Sequence, residues 1–199
     1  MKETGRVIVI SGPSGAGKST VVFCAIEGRK DMCFSTSVTT RKQRPGEVDG
    51  REYFFIDFDR FHEMIANDEL LEHAIYVGNG YGTPRRFVED KLEEGLNVLL
   101  DIEVQGARQI MEKVPDSIKI FIIPPSLEEL RSRLVKRGTD SAEAIEGRLK
   151  RAKEEYKEAV FYDYIIVNDD LDVAAAEFNA ILAAEKCRYP FRKQWLEKL

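Results

Sequence analysis

Cysteine is scarce and poorly placed for structural work: Cys24, Cys33 and Cys187 are odd in number, irregularly spaced and contain no C-x-x-C pair. That excludes a disulfide framework and a zinc ribbon, and it fits a reducing compartment. Histidine occurs only at His62 and His73, without metal-ligand spacing, and both read as structural. Neither proline nor glycine is in excess and there is no low-complexity tract or internal repeat, so the chain reads as an ordinary folded one. Cationic excess is missing too. Thirty Lys and Arg against 35 Asp and Glu leave a net charge of -5, which argues against the broad basic surface that non-specific nucleic-acid binding needs. No apolar segment reaches the length of a membrane span, and the early run "RVIVIS" is too short for a signal-peptide core. The expectation is a cytoplasmic protein with no nucleic-acid or membrane partner, in which any anion site is local.

What is present is an alternation. Short β-branched runs at Val7 to Ile10, Val98 to Leu100, Ile118 to Ile123 and Tyr164 to Val167 read as strands buried on both faces. Helical stretches separate them. From Val104, Ala107, Ile110 and Met111 recur at helical spacing, and from Ser126 so do Leu127, Leu130 and Leu134. Ser126 with Glu129 forms a capping-box pattern, Gly138 stops that helix after Arg137, and Thr83-Pro84 reads as a cap followed by a first helical residue. Strands alternating with helices predict an α/β fold, a parallel sheet with helices on both faces whose ligands bind beyond the carboxyl ends of the strands. Two stretches depart from the alternation, a strand-rich one between Ser35 and Tyr81 and a charged helical one from Arg131 to Lys157, and both read as insertions on a single 199-residue domain.

"GPSGAGKST" follows the first strand and runs into the apolar helical stretch Val21 to Ile26. This is the strand-loop-helix setting in which a phosphate-binding loop works. Gly12, Gly15 and Gly17, with Ser14 and Ala16 between them, let the backbone curl so that its N–H groups and the helix start at Ser19 and Thr20 surround a polyphosphate. Lys18 neutralises the outer phosphates and Ser19 offers a hydroxyl to Mg2+. Asp101 closes the strand "NVLLD" and is expected to orient the metal's water shell, with a helix N-cap as the alternative.

The stretch "SVTTRKQRPGEVDGREYFF", Ser37 to Phe55, supplies a second set of cations. Arg41 and Arg44 can each fork onto phosphate oxygens, and Tyr53 and Tyr81 can donate hydroxyl hydrogen bonds, a set suited to a terminal monophosphate. A solvated charged loop is the competing reading.

Taken in order, "GPSGAGKST", "SVTTRKQRPGEVDGREYFF", "LLEHA", "GNGYGTP", "LLDIEVQGA", "PPSLEELRSRL" and "IVNDD" resemble the guanylate kinase family from about Val7 to Glu185. The resemblance implies a P-loop nucleoside triphosphate hydrolase-like core (1–34, 97–125 and 163–199), a GMP-binding insertion (35–96) and a helical lid (126–162). It implies ATP and GMP as substrates, dGMP as a second acceptor, Mg2+ as cofactor and direct in-line transfer. Carried over by position, the GMP phosphate falls to Arg41, Arg44, Tyr53 and Tyr81, and the guanine to Ser37, Glu72 and Thr83. Asp101 and Glu103 lie near the base or metal, Glu103 standing where many relatives carry aspartate. Guanine's N1–H and 2-amino group are two donors that one carboxylate accepts side by side, which adenine cannot match. Gly80 stands where the family often has an aromatic residue, which predicts looser packing beside the base.

The resemblance also marks Arg133, Arg137 and Arg148 as lid arginines, with Arg148 reaching the GMP side as well, and places Asn168 and Asp169 beside the adenine. Lys18, Arg44, Arg137 and Arg148 are the expected catalytic cations. Two rival functions are a catalytically inactive phosphopeptide-binding module and a kinase for another small phosphorylated acceptor. The C-terminal "CRYPFRKQWLEKL" is left open between packing Trp195 on the core and making a contact in a homo-oligomer.

Overall fold

The computed structural model describes residues 5–138 and 140–198, the side chain of Gln194 excepted. In chain order its elements are β1 (Val7–Ser11), α1 (Lys18–Ile26), β2 (Met32–Phe34), β3 (Val38–Thr39), β4 (Phe54–Phe55), α2 (Phe58–Ala66), β5 (Leu70–Tyr76), β6 (Asn79–Pro84), α3 (Arg85–Glu93), β7 (Asn97–Asp101), α4 (Val104–Lys113), β8 (Ile118–Ile123), α5 (Leu127–Lys136), α6 (Ala142–Glu155), a 3-10 turn (Tyr156–Phe161), β9 (Tyr164–Val167), α7 (Leu171–Lys186) and α8 (Tyr189–Leu196). They form two compact units, Met1–Ser11 with Arg29–Lys119, and Gly12–Gly28 with Ile120–Leu199.

In the first unit β2, β7 and β1 run parallel, Val7 to Ile10 facing Val98 to Asp101 and Met32 to Phe34 facing Asn97 to Leu99. Their apolar runs lack alternation because both faces are covered; Ile8, Val9, Ile10 and Leu99 are fully buried. Helix α4 packs on β1 and also on β5. A second sheet has the order β4-β3-β6-β5, antiparallel except where β3 meets β4. Helix α2 covers it, begun by Asp57, whose carboxylate accepts the Arg60 N–H, and it buries Phe61 and Met64 with Val38 and Leu70.

Two expectations need correction here. The helix does not take Thr83 as its cap and Pro84 as its first residue: both stay in β6, where they face Glu72 and Leu70 of β5, so that Pro84 is the N-cap and α3 starts one residue later, at Arg85. Cross-strand pairing overrides a local cap signal. Nor is the packing at Gly80 loose. The space an aromatic side chain would take is filled by the Phe61 ring, whose nearest atom lies 2.7 Å from where a Cβ at Gly80 would sit.

In the second unit β8 and β9 are parallel, Ile120 to Ile123 facing Tyr164 to Val167. Helix α1 lies along α7. The hairpin of α5 and α6 has its own core of Leu130, Leu134, Ile145, Leu149 and Ala152. Ser126 caps α5 as its pattern predicts, accepting the Glu129 N–H at 3.0 Å. The reciprocal half of the capping box is missing, because the Glu129 carboxylate binds Arg133 Nε at 2.7 Å. Gly138 follows the cap residue Arg137 in a left-handed conformation and ends the helix. Trp195 on α8 is half-exposed, with the Lys198 ammonium 4.6 Å from its ring centre, so it does not fill the core. Among the described residues no helix is long and apolar enough to cross a membrane.

Replacing Gly80 by Ala should destabilise the protein by about 1–3 kcal/mol through overpacking. Denaturant unfolding measures this, and Phe61→Leu in the same background should recover part of the loss, the mark of a coupled pair.

Candidate active site

The second unit builds an anion cradle largely from backbone. Gly12, Gly15 and Gly17 all have positive φ, and a Cβ at Gly12 would lie 2.0 Å from the Ile122 carbonyl oxygen, so the loop tolerates no side chain there. Gly17 is the N-cap of α1 and no acidic residue occupies that helix's first turn, so the helix start turns its positive end toward an anion in the loop. Lys18 curls back over the loop and donates to the Gly12 carbonyl at 2.8 Å. Ser19 and Thr20 are exposed on the first turn.

Three side chains from later in the chain fasten this loop. Asn168, buried after β9, donates its amide to the Ala16 carbonyl at 2.8 Å. Arg133 donates to the Ala16 and Asn168 carbonyls at 3.3 and 2.9 Å. Arg148 donates to Ser14 Oγ at 2.8 Å and is held from behind by Asp140 at 3.1 Å. Leu130 and Leu134 abut Gly15, so α5 packs directly on the loop. Arg137 and Asp169 are exposed.

The first unit carries the other cation cluster. Arg41 makes a two-pronged pair with Glu47, 2.8 and 3.1 Å long, and its guanidinium stands 5.4 Å from the Tyr53 ring centre. That pairing raises the pKa of Arg41 further, so its charge is permanent. Glu47 also accepts the Arg44 backbone N–H at 2.7 Å, which shapes the turn carrying both arginines. The Arg44 side chain is exposed. Tyr53 and Tyr81 meet edge to face at 6.1 Å, and burial pushes the Tyr53 phenol's pKa up, which keeps it a hydrogen-bond donor.

Beside this cluster lies a buried carboxylate. Glu72 on β5 is only 3% exposed and accepts the hydroxyl hydrogen of fully buried Thr83, directly opposite on β6, at 2.7 Å. Tyr81 and Thr83 are two apart on β6 and share its face, so the acid and the phenols line one surface of the second sheet. Glu72 is thus a buried acid bonded to a hydroxyl, not a salt-bridged surface glutamate. Burial pushes the Glu72 pKa up to about 7, against the lowering influence of the Thr83 hydrogen bond and the Lys113 charge. Ser37 is half-buried and its carbonyl accepts the Phe54 N–H. Asp101, at the end of β7, is level with Ile10 of β1, and both it and Glu103 are exposed. Asp101 does not cap α4; that position falls to Glu103.

The sequence profile of the guanylate kinase family matches residues 4–185. The chain belongs to the guanylate kinase family. A protein named guanylate kinase from Lactococcus lactis is 55% identical over 94% of this chain and 92% of its own length. One from Caldanaerobacter subterraneus is 49% identical over 100% of this chain and 97% of its own. The crystal structure of guanylate kinase from Anaplasma phagocytophilum superposes with a TM-score of 0.77 at 39% identity, covering 94% of this chain and 89% of that one. The architecture is accordingly the P-loop nucleoside triphosphate hydrolase-like α/β fold.

Within this guanylate kinase fold, sequence reading missed several supports. Glu47 bridges Arg41 and the Arg44 backbone, Asp140 backs Arg148, and Gly106 makes room for Glu72. Glu47 carried a signal, a carboxylate six residues from an arginine across a Pro-Gly turn; Asp140 lies eight residues before Arg148, across the start of α6, and the contact of Gly106 with Glu72 joins distant segments and carried none. As for a metal, the described residues contain no cluster of three or more His, Cys, Asp or Glu able to hold one. A Mg2+ keeps its waters and phosphate oxygens and needs only one or two protein groups, and the exposed hydroxyl of Ser19 on the first turn of α1 is a group of that kind.

Because the folded pKa of Glu72 lies above the ordinary carboxylate value of about 4.3, folded protein holds this proton more tightly than unfolded chain. Its contribution to stability is fully present below about pH 4.3 and is lost as pH rises through about 7. Glu72→Gln should abolish that loss, which is on the order of 3 kcal/mol by linkage. Comparing the urea midpoints of both proteins from pH 5 to pH 8 measures it; parallel curves would contradict the buried-acid description.

Proposed function

We propose that this enzyme transfers the terminal phosphoryl group of ATP to GMP, and secondarily to dGMP, giving ADP and a guanosine diphosphate in purine nucleotide metabolism. The observation that carries the reading is the buried Glu72–Thr83 pair on the same sheet face as Tyr81, beside Arg41 and Tyr53. A carboxylate kept from water is unfavourable unless a ligand brings donors to it. Guanine brings two, N1–H and the 2-amino group, with its O6 left for a hydroxyl such as that of Ser37. Adenine presents an acceptor at N1 and would strand the charge, which selects against AMP.

On this reading segment 35–96 holds the acceptor, its phosphate met by Arg41, Arg44, Tyr53 and Tyr81. The phosphate loop holds ATP, Lys18 neutralising its outer phosphates. Segment 126–162 acts as the lid, with Arg133 and Arg148 bearing on the loop and Arg137 exposed to meet the triphosphate. Asn168 supports the loop through Ala16, and Asp169 with it borders the adenine. Ser19 would hold a Mg2+, with Asp101 and Glu103 oriented toward its waters or the acceptor, and the ion would neutralise charge on the β- and γ-oxygens. No acid or base is needed for an acceptor that is already an anion; the protein aligns donor, phosphorus and acceptor and excludes water. Retention of Lys18, Ser19 and the lid arginines leaves no support for an inactive phosphopeptide-binding module.

With ATP and Mg2+, GMP should be phosphorylated at least about 100-fold more efficiently than AMP, UMP or a sugar phosphate. Arg44→Ala should lower kcat by about 10³ or more if Arg44 meets the transferring group, while Glu72→Gln should mainly raise KM for GMP. Coupled detection of ADP reads all three. Equal rates with GMP and AMP would overturn the base assignment.

A further inference from the structure

Gly106 is a glycine where glycine is a liability. It lies inside the first turns of α4, with none of the positive φ that would demand it, and glycine is a poor helix former. Its backbone faces Glu72. A Cβ at Gly106 would stand 2.2 Å from Glu72 Oε2 and 2.9 Å from Cδ, far inside contact distance.

Neither partner of that contact is loosely held. Helix α4 is clamped to β5 by Gln109, which accepts the His73 N–H at 3.2 Å and donates to the His73 carbonyl at 2.7 Å. Its apolar face is fixed by Ala107 and Ile110, both fully buried. The helix therefore has no free direction in which to retreat. The carboxylate is tethered through its other oxygen to Thr83 and is the far end of a side chain, so it is what would move.

We propose that Gly106 is a specificity-determining position: the missing side chain sets where the Glu72 carboxylate rests, and so sets the preference for a base bearing both N1–H and a 2-amino group. This deepens the reading of Glu72 given above and rests on it. An added methyl would displace the carboxylate by about 1 Å, enough to take a hydrogen bond out of its 2.7–3.2 Å range. A base without the 2-amino group, hypoxanthine, has one fewer hydrogen bond to lose.

The test compares GMP with IMP as acceptors in wild type, Gly106→Ala, Glu72→Ala and the double variant, alongside KM for ATP and thermal midpoints. The GMP:IMP ratio of kcat/KM should fall by about 10-fold or more in Gly106→Ala, the worth of one hydrogen bond to a charged group. KM for ATP should stay within about two-fold, as the argument touches only Glu72, and adding Gly106→Ala to Glu72→Ala should change the ratio no further. A wild-type ratio in Gly106→Ala, or an equal extra fall in the Glu72→Ala background, would overturn the proposal. So would failure to fold in both backgrounds, whereas misfolding only when Glu72 is present supports the contact. If Glu72→Ala itself keeps the wild-type ratio, the guanine assignment is what has failed.

Discussion

Repulsion between two anions sets the terms for everything else in this molecule. Two unit charges about 4 Å apart oppose each other by about 4 kcal/mol at a protein surface, and a triphosphate meeting a monophosphate multiplies the figure. A protein of net charge -5 has no general field to offset that. On the proposed reading it concentrates positive potential in two local cradles instead, and it builds them differently. The donor cradle is backbone, three glycines and a helix start, cross-braced by Asn168, Arg133 and Arg148. The proposed acceptor cradle is side chains, Arg41, Arg44 and Tyr53 from the loop between β3 and β4 and Tyr81 from β6, with Glu47 holding Arg41 in a fixed fork.

On the proposed reading, selectivity rests on a second unfavourable arrangement, the glutamate Glu72 kept dry. Burial raises its pKa to about 7, and the fold tolerates this because Thr83 gives it one partner and Gly106 gives it room. On that reading, discrimination comes from the penalty on any base that leaves the acid unpaired. The same sheet explains why Gly80 is small: Phe61 of α2 already occupies the space beside it.

Strands β1, β7, β8 and β9, the phosphate loop and the caps at Ser126 and Gly138 were legible because each is a contiguous pattern with a local cause, whereas the second sheet was legible only as a strand-rich stretch. So were Arg41, Arg44, Tyr53, Tyr81 and Glu72 as residues, through the family's long motifs. What escaped was whatever is decided by partners outside a local pattern, most of them distant in the chain. Thr83-Pro84 looks like a cap and first helical residue, yet pairing with β5 keeps both extended and moves the helix start to Arg85. Glu129 fits a capping box, yet Arg133 one turn later captures it. Asn168 reads as a residue beside the base and is seen bracing the loop at Ala16. Gly106 looks like an unremarkable helical glycine until Glu72 is set against it.

The most direct test of paired cradles is binding of one molecule that carries both ligands, adenosine and guanosine joined through five phosphates, followed by isothermal titration calorimetry. One molecule should bind per chain, far more tightly than ATP or GMP, and Lys18→Ala and Arg41→Ala should each weaken it strongly. Weakening by one substitution with indifference to the other would contradict the account, because it would mean that only one cradle holds phosphate.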